Sequence, residues 1–341
     1  MKVGIAGASG FTGAELMRLC AGHPELEVAV AGAETQAGQA VAGLYPSLAA
    51  AYPRLEFAKV GADELDGLDV VFLALPHGES QRLAPDLVGR VGVLVDLSAD
   101  FRLRDRDAYP AWYGHEHAAP GLLGSFAYGL CELFRPDIEN ARLVAAPGCY
   151  PTAAALALAP FVRAGVIEPT GVVVDAASGV SGAGRKLVLS THFNTVDEDF
   201  TAYGLLDHRH TPEIEQATGA QVVFTPHLAP MNRGILATCY ARPRAGLGAG
   251  LRTDDALDLL RDTYRDEPFV VVRDAAPSTK ATLGSNCAYL TARVDPRTGW
   301  VLVLCALDNL VKGASGQAVQ CANIALGLPE TTGLPTVGVY P

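Results

Sequence analysis

A strand, a glycine loop and a helix open this chain, and that order narrows its fold more than any other feature. Lys2-Val-Gly-Ile-Ala6 reads as a strand, Gly7-Ala-Ser9-Gly10-Phe11-Thr12-Gly13 as a turn, and Ala14–Cys20 as a helix. A glycine loop that runs into a helix N-terminus offers backbone N–H groups and a positive helix end to a pyrophosphate. The spacing is GxxGxxG and not GxGxxG, so taken alone it also describes a tight turn with glycine at positive φ. The flanking strand and helix favour a dinucleotide. Further strand patterns at Leu26–Ala31, Val70–Leu75 and Val91–Leu97 alternate with helical stretches, which predicts a mostly parallel sheet.

At 341 residues the chain exceeds one typical core, so two domains are expected. The pattern changes after Cys149. Strand signals at Val172–Asp175, Gln221–Thr225, Ile235–Tyr240, Cys287–Arg293 and Trp300–Ala306 outnumber helices there. The expected fold class is α/β: a Rossmann dinucleotide-binding domain over 1–148, and an α+β substrate domain over 149–313 with a large mixed or antiparallel sheet. A C-terminal helical segment, 314–341, is expected to rejoin the first domain. No apolar run approaches about 18 residues and no signal-like segment opens the chain, so a cytoplasmic protein without a membrane partner is expected. The net charge of −11 comes without a basic stripe, which excludes a nucleic-acid partner. An anionic substrate must then be held by a few focused cations.

Cys149 is the chemical centre of the sequence. It sits in Ala-Ala-Pro147-Gly148-Cys149-Tyr150-Pro151-Thr152, ahead of an alanine-rich run that reads as a buried helix. A cysteine at a helix N-terminus meets unpaired N–H groups and a dipole that favour its thiolate. Standing alone, a segment of this kind is better read as a buried helix-capping cysteine. Beside a dinucleotide signature and paired histidines, it points to aldehyde dehydrogenation or its reverse on an acyl phosphate. The seven cysteines show no CxxC spacing, which suits reduced thiols better than disulfides or zinc. No metal is expected.

Other segments carry candidate roles. His208-Arg209-His210 precedes Thr211-Pro212-Glu213, an N-cap followed by proline at a first helical position. If the approach is extended, His208 and His210 face one side. As an acid/base pair they would serve a thioester mechanism, and the helix dipole should disfavour a charged His210, which gives His208 the leading role. Ser98 and Arg102 follow the strand Val91–Leu97 at a sheet's carboxyl edge and can hold an oxyanion. Ser178-Gly-Val-Ser181-Gly182-Ala-Gly184-Arg185-Lys186 offers hydroxyls and cations to a phosphate or carboxylate. His77, His115 and His117 read as structural or merely near the cofactor. The expected cofactor contacts are Gly7, Ser9, Gly10, Phe11, Thr12, Gly13, Thr35, Pro76, Ser181 and Gly182. Glu34 favours the ribose of NAD whereas Thr35 favours a 2′-phosphate, and no arginine stands nearby, so the residues leave the dinucleotide open.

Nine segments in this order resemble the N-acetyl-γ-glutamyl-phosphate reductase family: GASGFTG, FLALPHG, DLSADFRL, APGCYPTAA, SGVSGAGR, HRHTPEIEQ, FTPHLAPMNRGI, GSNC and DNLVKGASGQAVQ. The resemblance spans essentially the whole chain. It implies a dehydrogenase of the aspartate-semialdehyde type in which NADP(H) reduces an acyl phosphate to N-acetylglutamate 5-semialdehyde and releases phosphate. By motif, Cys149 is the nucleophile and the HRHTPEIEQ histidines supply acid/base catalysis. A homodimer or homotetramer is expected. The alternatives are an aminoadipyl-phosphate reductase of the same family and a dinucleotide sensor that has lost the chemistry. An intact Cys149, His208 and His210 argue against the sensor.

Overall fold

The computed structural model describes residues 1–246 and 250–341. The chain divides into two compact units, Met1–Pro147 with Ala314–Leu334, and Gly148–Gly313 with Pro335–Pro341.

The first unit holds a six-stranded sheet built from β1 (Lys2–Ala6), β2 (Glu27–Gly32), β3 (Val70–Leu73), β4 (Val93–Asp96), β5 (Ala127–Tyr128) and β6 (Leu143–Ala145). The strand order is β2-β1-β3-β4-β6-β5 and every pairing is parallel. Strands β3 and β4 are buried along their whole length, as expected where helices cover both faces of a parallel sheet. The order reverses beside β1, which places the Gly7 loop at the carboxyl edge where open sheets bind ligands. Leu73, Leu94, Phe101, Leu103, Tyr109 and Phe126 belong to one core cluster, with Phe101 stacked on Phe126 at 4.0 Å.

Residues 314–341 do not form one helix. The helix covers Gly316–Ala325 and ends where Gly327 takes a positive φ of 71° before Pro329. Two of its buried polar side chains bond within the unit: Gln317 Nε2 donates to Gly129 O at 2.9 Å, and Asn323 Oδ1 meets His23 Nε2 at 3.0 Å. Residues 335–341 instead belong to the second unit. There Asn286 N–H donates to Pro335 O, and Val339 N–H to Leu283 O, both at 2.7 Å.

The second unit is built on a seven-stranded mixed sheet. Its strands are β7 (Val172–Gly179), β8 (Thr201–Ala202), β9 (Val222–Ala229), β10 (Ile235–Ala241), β11 (Val270–Val272), β12 (Ala288–Val294) and β13 (Val301–Leu307), in the order β11-β12-β13-β10-β7-β9-β8. Strand β10 alternates buried and half-exposed residues throughout, the mark of a sheet covered on one face. The covering element is the helix Cys149–Arg163, buried without a break from Tyr150 to Phe161. Its alanines leave no bulk, so the backbone lies close to the sheet. Among the described residues, no helix is long and apolar enough to cross a membrane.

Candidate active site

Each unit presents its own set of site residues. In the first, Gly7 sits at φ 88°, where a Cβ would lie 2.2 Å from Ala74 O. A Cβ on Gly13 would meet Gly7 O at 2.4 Å and Ala8 Cα at 2.5 Å. Glycine is therefore required twice, once for backbone conformation and once for close packing. Gly10 caps the helix Phe11–Ala21, whose first N–H groups have no partner inside the helix. Tyr45 Oη donates to Ser9 O at 2.7 Å and Ser315 Oγ to Thr12 O at 2.9 Å, which fixes both ends of the loop. Ser9, Gly10, Phe11 and Thr12 remain half-exposed. A loop with these constraints fits a dinucleotide pyrophosphate.

Near the end of β2, Thr35 Oγ1 donates to Gln36 Oε1 at 2.8 Å, and Glu34 pairs with Lys59 at 3.1 Å. The sequence offered no arginine here. Lys59 arrives from a segment paired with β2 through the Gly32–Ala58 bridge, a contact no local motif announces. Pro76 is exposed in the loop after β3. There Gly78 N–H donates to Asp100 Oδ1 at 2.9 Å.

Ser98 and Arg102 depart from the expected anion cradle. Ser98 Oγ donates to Asp96 Oδ2 at 2.9 Å and accepts from Asp100 N–H at 3.1 Å, so the hydroxyl is committed inward. Arg102 is only 6% exposed and gives Nε to Ala146 O at 2.8 Å and Nη2 to Leu97 O at 2.7 Å. It clamps the carboxyl ends of neighbouring strands. Beneath them the wholly buried Asp96 is pushed up to about 6, first by burial and then by the charge of Asp100. His117 Nε2 meets Asp100 O at 2.6 Å, and His77 Nδ1 accepts from Ala99 N–H at 3.2 Å, so both are structural.

In the second unit Cys149 is the first residue of a 15-residue helix with Gly148 at its N-cap. It is half-buried, whereas the other six cysteines are buried. Burial pushes the Cys20 thiol up to about 12, and it also raises Cys287. Cys149 thus combines access with a helix N-terminus that favours negative sulfur. Gly148 N–H donates to Glu213 Oε1 at 2.8 Å, and Glu213 is fully buried. The N-cap is His210 and not Thr211, and Glu213, in the first turn of the helix, reaches the turn before Cys149. Gly313 closes the other side, since a Cβ there would lie 2.8 Å from Cys149 Cβ.

His208 and His210 do come together, with ring centroids 4.9 Å apart, but through a turn and not an extended run. Thr211 N–H donates to His208 O at 2.9 Å. Both rings meet Tyr150 edge-on, at 5.7 and 5.9 Å, and His208 also touches Phe224 and Tyr203. His208 Nδ1 accepts from His210 N–H at 3.1 Å, so a neutral His208 carries its proton on Nε2. Burial, then the neighbouring Arg209, lowers His208 to about 4. The dipole argument considered only the helix end; desolvation against three aromatic rings acts on His208 as well. Tyr203 Oη donates to Tyr150 Oη at 3.1 Å, and burial holds Tyr150 far above the usual phenol range.

The loop after β7 is fixed from outside. Val180 N–H donates to Met231 O at 2.9 Å and Ser181 N–H to Asn232 O at 3.1 Å. Asn309 ties this loop to β10's start, accepting from Gly234 N–H at 2.7 Å and donating Nδ2 to Ser181 Oγ at 3.0 Å. With a lone pair of Ser181 so occupied, its O–H is left to point elsewhere. Gly182 is exposed, Arg185 half-buried and Lys186 exposed. Tyr150 and Glu213 lie inside the quoted motifs but their contacts are not readable there, and only the fold brings Tyr203 to Tyr150 and Asn309 to Ser181. Among the described residues, no His, Cys, Asp or Glu group is arranged to hold a metal.

Family models match most of the chain: a semialdehyde dehydrogenase NAD binding domain over residues 2–141, and a semialdehyde dehydrogenase dimerisation domain over 149–309. An N-acetyl-gamma-glutamyl-phosphate reductase of Symbiobacterium thermophilum is 53% identical over 100% of this chain and 99% of its own. One from Desulforudis audaxviator is 49% identical over 100% of both chains. In fold, the chain is similar to aspartate semialdehyde dehydrogenase II of Vibrio cholerae solved with ASA. That match has a TM-score of 0.71 and 17% identity, and covers 96% of this chain and 98% of that one. With both domain models matched and full-length relatives this similar, the chain belongs to the N-acetyl-gamma-glutamyl-phosphate reductase family of semialdehyde dehydrogenases.

Proposed function

We propose that this chain reduces N-acetyl-γ-glutamyl phosphate to N-acetylglutamate 5-semialdehyde, with NADPH as reductant and inorganic phosphate as co-product. The observation that carries the reading is a half-buried Cys149 at the start of a long helix, with Glu213 on the preceding N–H and two histidines around the next side chain. Cys149 Sγ attacks the acyl carbon, the carbon–oxygen bond to phosphate breaks, and a thioester remains on the protein. When bound, the reduced nicotinamide supplies the hydride for the thioester carbon. The carbon–sulfur bond then breaks to give the aldehyde.

His208, neutral at pH 7 with hydrogen on Nε2, donates to the oxygen on which charge develops. His210 takes the thiol proton and returns it. Arg185 holds the substrate's anionic groups, while Ser181, turned by Asn309, and Gly182 contact the cofactor. Gly7, Ser9, Gly10, Phe11, Thr12 and Gly13 hold the cofactor's pyrophosphate, while Thr35 and Pro76 line its path. Arg102 contributes by holding strand ends.

The dimerisation-domain match supports a homo-oligomer. Its contact would be the segment holding Leu187, Leu189, Phe193 and Leu206, which are 97%, 81%, 73% and 77% exposed. The direct test of function is an assay with the semialdehyde, NADP and phosphate. Phosphate-dependent formation of NADPH is expected. Turnover that persists without phosphate would contradict the reading.

A further inference from the structure

The end of β2 carries an ion pair whose chemistry bears on which dinucleotide this chain accepts. Ala33 N–H donates to Ala58 O at 2.8 Å, Ala58 N–H to Ala31 O at 2.9 Å and Gly38 N–H to Phe57 O at 2.7 Å. These bonds set the 56–60 segment beside the strand end. A Cβ on Gly32 would strike Val60 Cγ2 at 2.3 Å, so the approach is close. The pairing delivers Lys59 Nζ to 3.1 Å from Glu34 Oε1, with the two side chains 72% and 77% exposed. In doubly wound folds an acidic residue near this point takes the ribose hydroxyls, and a 2′-phosphate there needs a cation. Here the acid already has a cation beside it.

We propose that Lys59 is the residue that selects a 2′-phosphorylated dinucleotide, by exchanging Glu34 for the phosphate. This rests on the reading that the Gly7 loop holds a dinucleotide. An exposed ion pair is weak, so leaving it costs little. A phosphate near pH 7 carries close to two negative charges against one on Glu34, which favours the exchange. Thr35, whose hydroxyl now donates to Gln36, is free to turn the same donor to the phosphate. Without Lys59, Glu34 would repel the phosphate with nothing to offset it.

The test is fluorescence titration of NADPH and NADH onto the purified enzyme with no substrate present. Lys59→Met should weaken NADPH roughly 10–100-fold, the scale of one lost charge-assisted contact, and leave NADH within about twofold. Glu34→Gln should tighten NADPH, and adding it to Lys59→Met should recover part of the loss. Added salt should weaken NADPH more steeply than NADH in the wild type, and this difference should vanish in Lys59→Met. Unchanged NADPH affinity in Lys59→Met would overturn the assignment, as would equal losses for both dinucleotides. A wild type that binds neither dinucleotide would instead overturn the underlying reading of the loop, and the assignment with it.

Discussion

His208 and His210 sit two residues apart, and on the proposed mechanism their surroundings suit them to different steps. His208 is held neutral by burial and by the N–H of His210 on its Nδ1. Held neutral at pH 7, His208 acts as a hydrogen-bond donor and not as the titrating group, so the acid limb of kcat/KM should persist in His208→Asn. Each substitution should cost about 10²–10⁴ in rate, the usual worth of positioned proton transfer. A pH–rate profile of each variant checks this, and an acid limb lost only in His208→Asn would reverse the roles. The sequence showed the pair but not its surroundings. Pro147-Gly148-Cys149 is a local signal, readable from turn and helix propensities alone. The burial of His208 depends on Tyr150, Tyr203 and Phe224, which no nearby spacing relates to it. Ser98 failed for a similar reason: its hydroxyl is turned inward by Asp96, a strand residue that reads simply as part of an apolar run.

At the scale of elements, one contact holds the turn before Cys149 in place. Glu213, on the helix Thr211–Thr218, fastens the turn before Cys149 through Gly148 N–H. Glu213→Ala leaves a buried donor unanswered, so a stability loss of about 1–3 kcal/mol is expected with a fall in kcat. Glu213→Gln keeps an acceptor and should recover most of the stability. Denaturant titration beside steady-state kinetics separates the two effects. Asp96, at the end of β4, supplies the second test. Its folded value of about 6 stands above the ordinary 3.8, so the folded state binds the extra proton. The stability this contributes is complete below about 4 and is lost as pH rises through 6, by roughly 3 kcal/mol at most. His208 acts in the opposite sense, since its lowered value costs stability as pH falls from 6.5 toward 4. Asp96→Asn should therefore show a flatter fall in Tm from pH 4 to 7 than the wild type, and an equal or higher Tm at pH 8. Identical pH slopes in the two proteins would contradict the buried-carboxyl argument. Element identities were legible where periodicity was clean, as in β1, β3 and β10. The short β5, β6, β8 and β11 were not, because strands of two or three residues carry too few positions to show a period.

For the whole molecule, the sequence shows where one pattern gives way to another, and the structure divides the chain at Pro147 and Gly148. Nothing in the sequence marks the return of the last seven residues to the second unit, since Pro335 O accepts and Val339 N–H donates there through backbone groups that leave no side-chain signal. Nor did it show that residues 187–206 display a row of apolar side chains between Arg185 and His208. If a second copy covers that row, Leu189→Asp with Phe193→Asp should yield a smaller species by light scattering and lower activity. An unchanged assembly would move the contact elsewhere. The central claim concerns a covalent bond at one sulfur, and intact-mass spectrometry of the full chain tests it most directly. Mixed with N-acetyl-γ-glutamyl phosphate in the absence of NADPH, the wild type should gain one N-acetylglutamyl group on Cys149. NADPH added afterwards should remove that group as the semialdehyde, and Cys149→Ser should gain none on the same timescale. An unlabelled wild type, or an acyl group on any other residue, would contradict the account.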